Sequence, residues 1–537
     1  MNAKHLAPLA FAAAAAIGLN GCGGGGGGSP AAATPLPNEV VVATDQSTLR
    51  FYAVTDSGVT ERLSVALPGV PGSYTRSGNT VTVTMSNHGI RDGLWATLDF
   101  LSGSGGIATD GTYRVTVVND DTFTLTDTAS GAISAGQLLR KPESAQAATY
   151  AQAGLTVAVT LANHGLLDND NVELDFTSGT SVDLATRVDE VLDANTFTVF
   201  MPTSAGTSGN VTVKVGSNYT VNDVRLHPSG KWLYVASGYD CVNGVPYCWG
   251  GETLTRFAIN WATSAVTPAD IVRLGTDPYD IPVRMDINAS GDRLVVKNDN
   301  GNDMHLFGIA PLSGALTQLA RSDAGQGQTV VFSPDGQYVY DGNNVYTVTT
   351  GPDAIANSAT NAGAADGLIA GGTLFTLEAS SSVLSAYRLA TPATPTLITT
   401  LTPIAPILRT GITPNRALTA NSTGSLLVVA GSRGLKSYTF NGTTLAAATP
   451  GAGSAELQAD GTASLSADPA SLRMYTSVNM DSTGSLLAAA YLTLGFADAT
   501  TPSGFVFARV GADGALTRIA NLPGAKYAHT VRFIKKP

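Results

Sequence analysis

His227-Pro228-Ser229-Gly230-Lys231-Trp232-Leu233-Tyr234-Val235 is a polar turn closed by glycine and followed at once by an apolar strand. The pattern returns as Asn288-Ala289-Ser290-Gly291 before Leu294-Val295-Val296, and as Ser333-Pro334-Asp335-Gly336 before Tyr338-Val339-Tyr340. It returns again as Asn421-Ser422-Thr423-Gly424 before Leu426-Leu427-Val428, and as Asp481-Ser482-Thr483-Gly484 before Leu486-Leu487-Ala488. A degenerate copy, Ala370-Gly371-Gly372, precedes Leu374-Phe375-Thr376. Glycine tolerates the positive φ that such turns need, while β-branched and aromatic residues fit the pleated strands on either side. Each copy leads to an aromatic third strand, such as Thr255-Arg256-Phe257 or Lys436-Ser437-Tyr438, and several end in a glycine turn and fourth strand, as in Ser313-Gly314-Ala315-Leu316-Thr317. Four strands per unit of this length are the signature of propeller blades.

Six blades are counted this way, and the ends of the chain supply a seventh. Tyr527-Ala528-His529-Thr530-Val531-Arg532-Phe533-Ile534 reads as an innermost strand with nothing after it. Glu39 to Thr44, Thr48 to Tyr52 and the segment after Ser57-Gly58 read as the second, third and fourth strands that it lacks. Pairing them closes the ring and removes two exposed sheet edges. The expected fold is therefore all-β, a seven-bladed β-propeller closed by both termini, with two small tandem β-modules inserted. The turns with Pro-Ser-Gly or Pro-Asp-Gly followed by Leu-Tyr-Val or Tyr-Val-Tyr, and the later Gly-Ala-Leu-Thr turns, resemble the lactonase-type seven-bladed propellers over residues 39 to 68 and 219 to 537. The resemblance implies the fold and, as an activity, hydrolysis of a sugar lactone. It transfers no catalytic residue, because no motif here matches the family's residue by residue.

Residues 69 to 217 carry a different repeat. Val83-Thr84-Met85-Ser86-Asn87-His88-Gly89-Ile90 returns as Val159-Thr160-Leu161-Ala162-Asn163-His164-Gly165-Leu166, and Leu98-Asp99-Phe100 as Leu174-Asp175-Phe176. The two modules, 69–144 and 145–217, resemble small β-rich modules of phage-tail and bacterial surface proteins. His88 and His164 occupy matching positions, each followed by Gly and preceding a turn with Asp92 or Asp168. Side-chain to backbone bonds that shape the turn are expected there rather than a metal. An outer-to-inner connection lies on the same face of a propeller as the loops joining second and third strands, so the modules should decorate that face.

The first 21 residues, with Lys4 ahead of the apolar run Leu6 to Leu19, read as a signal peptide. Leu19-Asn20-Gly21-Cys22 resembles the lipobox of bacterial lipoproteins, which implies a lipid-modified Cys22 at the mature N-terminus. Gly23 after that cysteine favours the outer membrane, facing the periplasm or the cell surface. A Gly/Pro/Ala-rich linker over 22–37 leads to closing-blade strands at 38–68, and blades fill 218–537. A net charge of -11, with only 13% charged residues, removes the electrostatic basis for nucleic-acid binding. Cys241 and Cys248 are the only other cysteines, and in an oxidising compartment a disulfide between them is the default.

No Gly-x-Ser-x-Gly, His-Glu-x-x-His, Cys-x-x-Cys or phosphate-loop motif occurs, so no catalytic residue, metal site or cofactor is read from motifs. Asn298 to Asp303 offers oxygen ligands but no distal Glu, and Asn-Gly there reads as a turn. His227-Pro228 reads as a turn-forming pair. The innermost strands are where a ligand would be met. Counting back from the turn glycines aligns Asp223 with Arg284, and Arg225 with Asp286 and Asn479; the closing strand adds His529 and Arg532. These residues either bind a polar or anionic ligand in the central funnel or tie neighbouring blades together. The expected function is an outer-membrane-anchored binding or scaffolding module with an envelope protein or a small polar ligand as partner. A lactonase-like hydrolase and a subunit of an envelope or extracellular assembly are the alternatives.

Overall fold

The computed structural model describes residues 35–537 apart from 87, 143, 216–217, 241–251, 275–281, 299–302, 324–328, 342–343, 351–352, 360–363, 379–382, 403–415, 432–433, 449–456, 458–472, 494–502 and 526–527. Seven four-stranded antiparallel sheets follow the order read from the sequence. Blade 1 runs outward from Asn218–Leu226 through Trp232–Asp240 and Thr253–Asn260 to Ala265–Arg273. The inner strands of blades 2 to 6 are Pro282–Ile287, Val331–Phe332, Ala364–Ala370, Leu418–Ala420 and Arg473–Met480. Blade 7 joins the two ends of the chain: Ala528–Lys535 pairs with Glu39–Asp45, in register Val40↔Ile534 and Val42↔Arg532, and Thr48–Thr55 and Gly58–Ala66 complete it. Seven blades and a closing sheet from both termini are thus as expected.

Second strands are buried on both faces because each sheet is covered by its neighbours, so they read as unbroken apolar runs. Leu294, Val295 and Val296 are all fully buried. Between blades 1 and 2 the packing brings Tyr234, Ala236 and Leu254 against Met285, Leu294 and Val296. The turn glycines hold φ of 68° at Gly230 and 75° at Gly291, and a Cβ on Gly291 would lie 2.8 Å from His227 Nε2. His227 is the reason for that close approach. Its Nδ1 accepts from Ser229 N at 3.0 Å and its Nε2 donates to Gly291 O at 2.8 Å, so it links the turns of two blades.

Between blades 7 and 1 the chain forms two further sheets, one of five strands from Val70–Thr84 to Thr122–Lys141 and one of four from Gln146–Thr160 to Thr196–Val215. Their bonding repeats residue for residue. His88 Nδ1 accepts from Ile90 N and its Nε2 meets Asn119 O; His164 does the same with Leu166 N and Asp193 O. Asp92 and Asp168 cap Val117 N and Val191 N at 2.8 and 2.7 Å. Tyr74 on Phe100 and Tyr150 on Phe176 are edge contacts at 4.7 and 4.6 Å. Gln46, in the second-to-third turn of blade 7, binds Glu173 at 2.9 Å and Lys214 at 3.0 Å, and Arg273, ending blade 1's outer strand, reaches Ser86 O at 2.7 Å. Both sheets therefore touch the face that carries the outer-to-inner connections.

Candidate functional site

Four of the inner strands share a bulge. The register slips between Val221 and Asp223, Pro282 and Arg284, Ala364 and Asp366, and Tyr475 and Ser477. A bulge re-aims the side chain that follows it, and those positions hold Asp223, Arg284, Asp366 and Ser477. Here the carboxylates join blades. Asp223 Oδ2 accepts from Met285 N and Asp366 Oδ2 from Leu418 N, both at 2.9 Å, and Ser477 Oγ accepts from Val531 N at 3.2 Å. Two residues further on the device recurs. Asp286 accepts from Phe332 N at 2.8 Å, Thr419 from Met480 N at 3.0 Å and Asn479 from Phe533 N at 2.8 Å.

Onto this girdle the arginines converge. Arg225 Nη1 donates to Asp223 at 2.8 Å, with Asp286 3.5 Å from its Nε. Arg416, from blade 5, crosses to Asp223 at 2.8 Å, donates to Met285 O at 3.3 Å and lies 3.7 Å from Asp366. Arg284 stands 4.0 Å from Asp366. Arg532 differs from these three: it is partly buried, and among the described residues its guanidinium has neither hydrogen bond nor ion pair. Burial and the neighbouring Arg225 bring its pKa down to about 10 against the pull of Asp223, Asp286 and Asp366. Burial pushes the Asp286 and Asp366 carboxyls up, opposed by Arg225 and Arg284 respectively. Four guanidiniums thus face three carboxylates, and each carboxylate is already engaged by backbone N–H groups.

A second polar cluster lies between blades 2 and 3. Asp341, at the end of a second strand, is fully buried, and among the described residues neither carboxylate oxygen makes a hydrogen bond of good geometry, the Thr329 N–H being the backbone donor that favours its charged form. Burial pushes its pKa up to about 7, against Lys297. Nearby, Asn298 Nδ2 meets His305 Nε2 at 3.1 Å, and burial holds His305 down to about 4. Because Asp341 titrates higher folded than unfolded, the folded state holds more protons between about pH 4 and 7 and stability falls as pH rises through that window. Asp341→Asn is expected to match wild type at pH 4 and to gain about 2–3 kcal/mol at pH 8, a fraction of what ~1.4 kcal/mol per pKa unit allows. Denaturant unfolding at both pH values checks this, and equal stabilities at pH 8 would refute it.

With this geometry established, comparison with known proteins is informative. The sequence profile of a family described as lactonase, 7-bladed β-propeller matches residues 193–333, which include Asp223, Arg225, Arg284 and Asp286. The propeller resembles the lactonase type. Solved structures similar to this chain include a putative 6-phosphogluconolactonase of Bacteroides fragilis, 16% identical with TM-score 0.42, covering 68% of this chain and 99% of that one. A periplasmic gluconolactonase of Pseudomonas aeruginosa is 14% identical with TM-score 0.43, again covering 68% and 99%. No curated protein matches this sequence.

In this propeller the structure brings Asp223, Arg225, Asp286 and Arg532 into one electrostatic neighbourhood, with Arg284 reaching it through Asp366. Asn479 is a blade-to-blade acceptor, and His529 Nδ1 meets Val221 O at 2.8 Å, so both join strands. Asp366 and Arg416 belong to the girdle and were not read from the sequence. Cys22, Cys241 and Cys248, and the turn residues 299–302, lie outside the described residues.

Proposed function

We propose that this chain is a lipid-anchored envelope propeller, a binding or scaffolding module whose girdle takes a small anionic ligand such as a carboxylate. The observation that carries the reading is the guanidinium of Arg532, unpaired beside Arg225 where every carboxylate is already engaged. An anion there would supply the missing partner, and charge-assisted bonds to arginine are the strong kind. The lipobox-like Leu19 to Cys22 supports the anchored part of the proposal, and an envelope protein remains the alternative partner. A second reading, lactone hydrolysis, is favoured by the family match across four of the girdle residues. In it Arg225 polarises the lactone carbonyl and Asp286 takes a proton from the attacking water as the new C–O bond forms; when the ring C–O bond breaks, Asp286 returns that proton to the leaving ring oxygen, giving the hydroxy acid.

Calorimetric titration with gluconate, and with inorganic phosphate as a second anion, tests the binding. Saturable binding that Arg532→Gln weakens about tenfold or more, with near-UV CD unchanged, is expected. Absence of binding, or equal binding by the variant, would overturn the anion reading. Hydrolysis of glucono-δ-lactone above the spontaneous rate, lost in Asp286→Asn, would establish the second reading. Palmitate labelling that disappears in Cys22→Ser tests the anchor.

A further inference from the structure

The two inserted modules meet edge to edge, and the contact treats its two arginines unequally. Arg91 of the first module makes a bidentate pair with Asp170 of the second, at 2.9 and 2.5 Å, and also donates to Gly165 O at 2.8 Å. Arg114, from the strand Gly111–Arg114, gives one hydrogen bond, to Gly93 O at 3.0 Å, and lies 4.8 Å above the ring of Trp95. Its Nη2 is buried with no acceptor, and so is Nε1 of that same Trp95. Two buried donors without partners, side by side, are uncommon in folded proteins, since each forfeits a desolvation cost of about 1–3 kcal/mol.

Arg114 also borders a cleft of about 210 Å³ whose other wall is the second module, with Leu166, Val191 and Ala194 as its apolar lining and Asn163, His164 and Asp193 as its polar lining. Asp193 does not neutralise Arg114: its carboxylate accepts from Asn195 N at 2.7 Å, and no ion pair joins the two. Burial lowers the pKa of Arg114; a guanidinium keeps its charge in proteins, so the cleft is bordered by a cation that no carboxylate pairs among the described residues.

We propose that this inter-module cleft is a binding site for a carboxylate carried on a short branched apolar chain, with Arg114 holding the carboxylate and the Leu166 and Val191 wall taking the chain. The volume suits a leucine-sized group. Two sources offer that chemistry, a free short-chain acid and the C-terminal residue of an extended peptide. This site is independent of the girdle.

The test titrates the full mature chain with isovalerate, with acetyl-Ala-Leu bearing a free C-terminus, and with its C-terminal amide. Binding of either carboxylate, absent for the amide and weakened about tenfold or more by Arg114→Gln, is the expected result. Preference for isovalerate over the peptide would identify a small-molecule ligand, and the reverse preference a chain end. Val191→Trp, which fills the cleft while leaving Arg114 in place, should abolish binding too, so loss of signal does not depend on one variant's folding. Binding that survives both substitutions, equal binding of the amide, or no binding of either acid at millimolar concentration would overturn the proposal.

Discussion

Asp223→Ala is expected to destabilise the propeller by about 3–5 kcal/mol, the cost of breaking a buried ion pair from one side. The carboxylate is fully buried and is used completely. Oδ1 accepts from Val224 N and Arg225, and Oδ2 from Met285 N and Arg416. Truncation would orphan the Met285 amide between blades 1 and 2 and strip two guanidiniums of their closest anion. Arg225 and Arg416 would then face each other and Arg532 with Asp286 and Asp366 as the remaining carboxylates of the girdle. Asp223→Asn keeps one oxygen acceptor and should lose less, which separates the charge from the strand-joining bond. Guanidinium unfolding curves give both numbers. A loss below about 1 kcal/mol for the alanine variant would mean that the girdle is solvated and not structural.

The sequence made the blades legible wherever the turn chemistry was strong. Gly230, Gly291, Gly336, Gly424 and Gly484 all take positive φ, and the strands after them are the buried second strands. Where the turn was weak the reading of the girdle failed. Ala370-Gly371-Gly372 has no polar residue and offers two glycines to count from, so Asp366 could not be aligned with Asp223, although both accept the N–H of the following residue and of the next blade. The bulge that aims these residues inward is a register slip of the folded sheet and leaves no mark in composition. Arg416 was hidden for another reason, since its partner Asp223 is 193 residues away and on a different blade.

The modules show the same limit from the other side. Their repeat was readable because it shapes turns, as with His88 and His164, which bond their own loops. The contact between them was not, because the residues that join them break the repeat. Arg91 stands where the second module has Leu167, and Asp170 where the first has Leu94. Residues that act within a copy are preserved between copies, and residues that act between copies cannot be, because two like charges would meet.

Ending the chain after Gly524 is expected to abolish the cooperative fold altogether. The removed strand, Ala528–Lys535, fills the innermost place of blade 7, where Ala528 and Val531 are fully buried and Ile534 nearly so. The strand is held from three sides: its backbone by Glu39–Asp45 along the ladder and by blade 6 through Ser477 to Val531 N and Asn479 to Phe533 N, and the Thr530 side chain by blade 1, where Oγ1 donates to Asn222 O. Losing a ladder, the inter-blade bonds and the buried Val531 and Ile534 side chains, worth about 1.5–3 kcal/mol each, removes a free energy comparable with the roughly 5–15 kcal/mol by which a domain is typically stable. It would also leave Glu39–Asp45 as an open apolar edge, a template for aggregation. Aggregation on expression, or a monomer with no cooperative unfolding transition, is the predicted outcome, and adding back a peptide of residues 525–537 should recover soluble protein in part. A truncated chain that unfolds cooperatively with native near-UV CD would show that the remaining six blades and three strands hold the ring without their closing strand, and that the joining of the two ends is a convenience of topology and not a condition of stability.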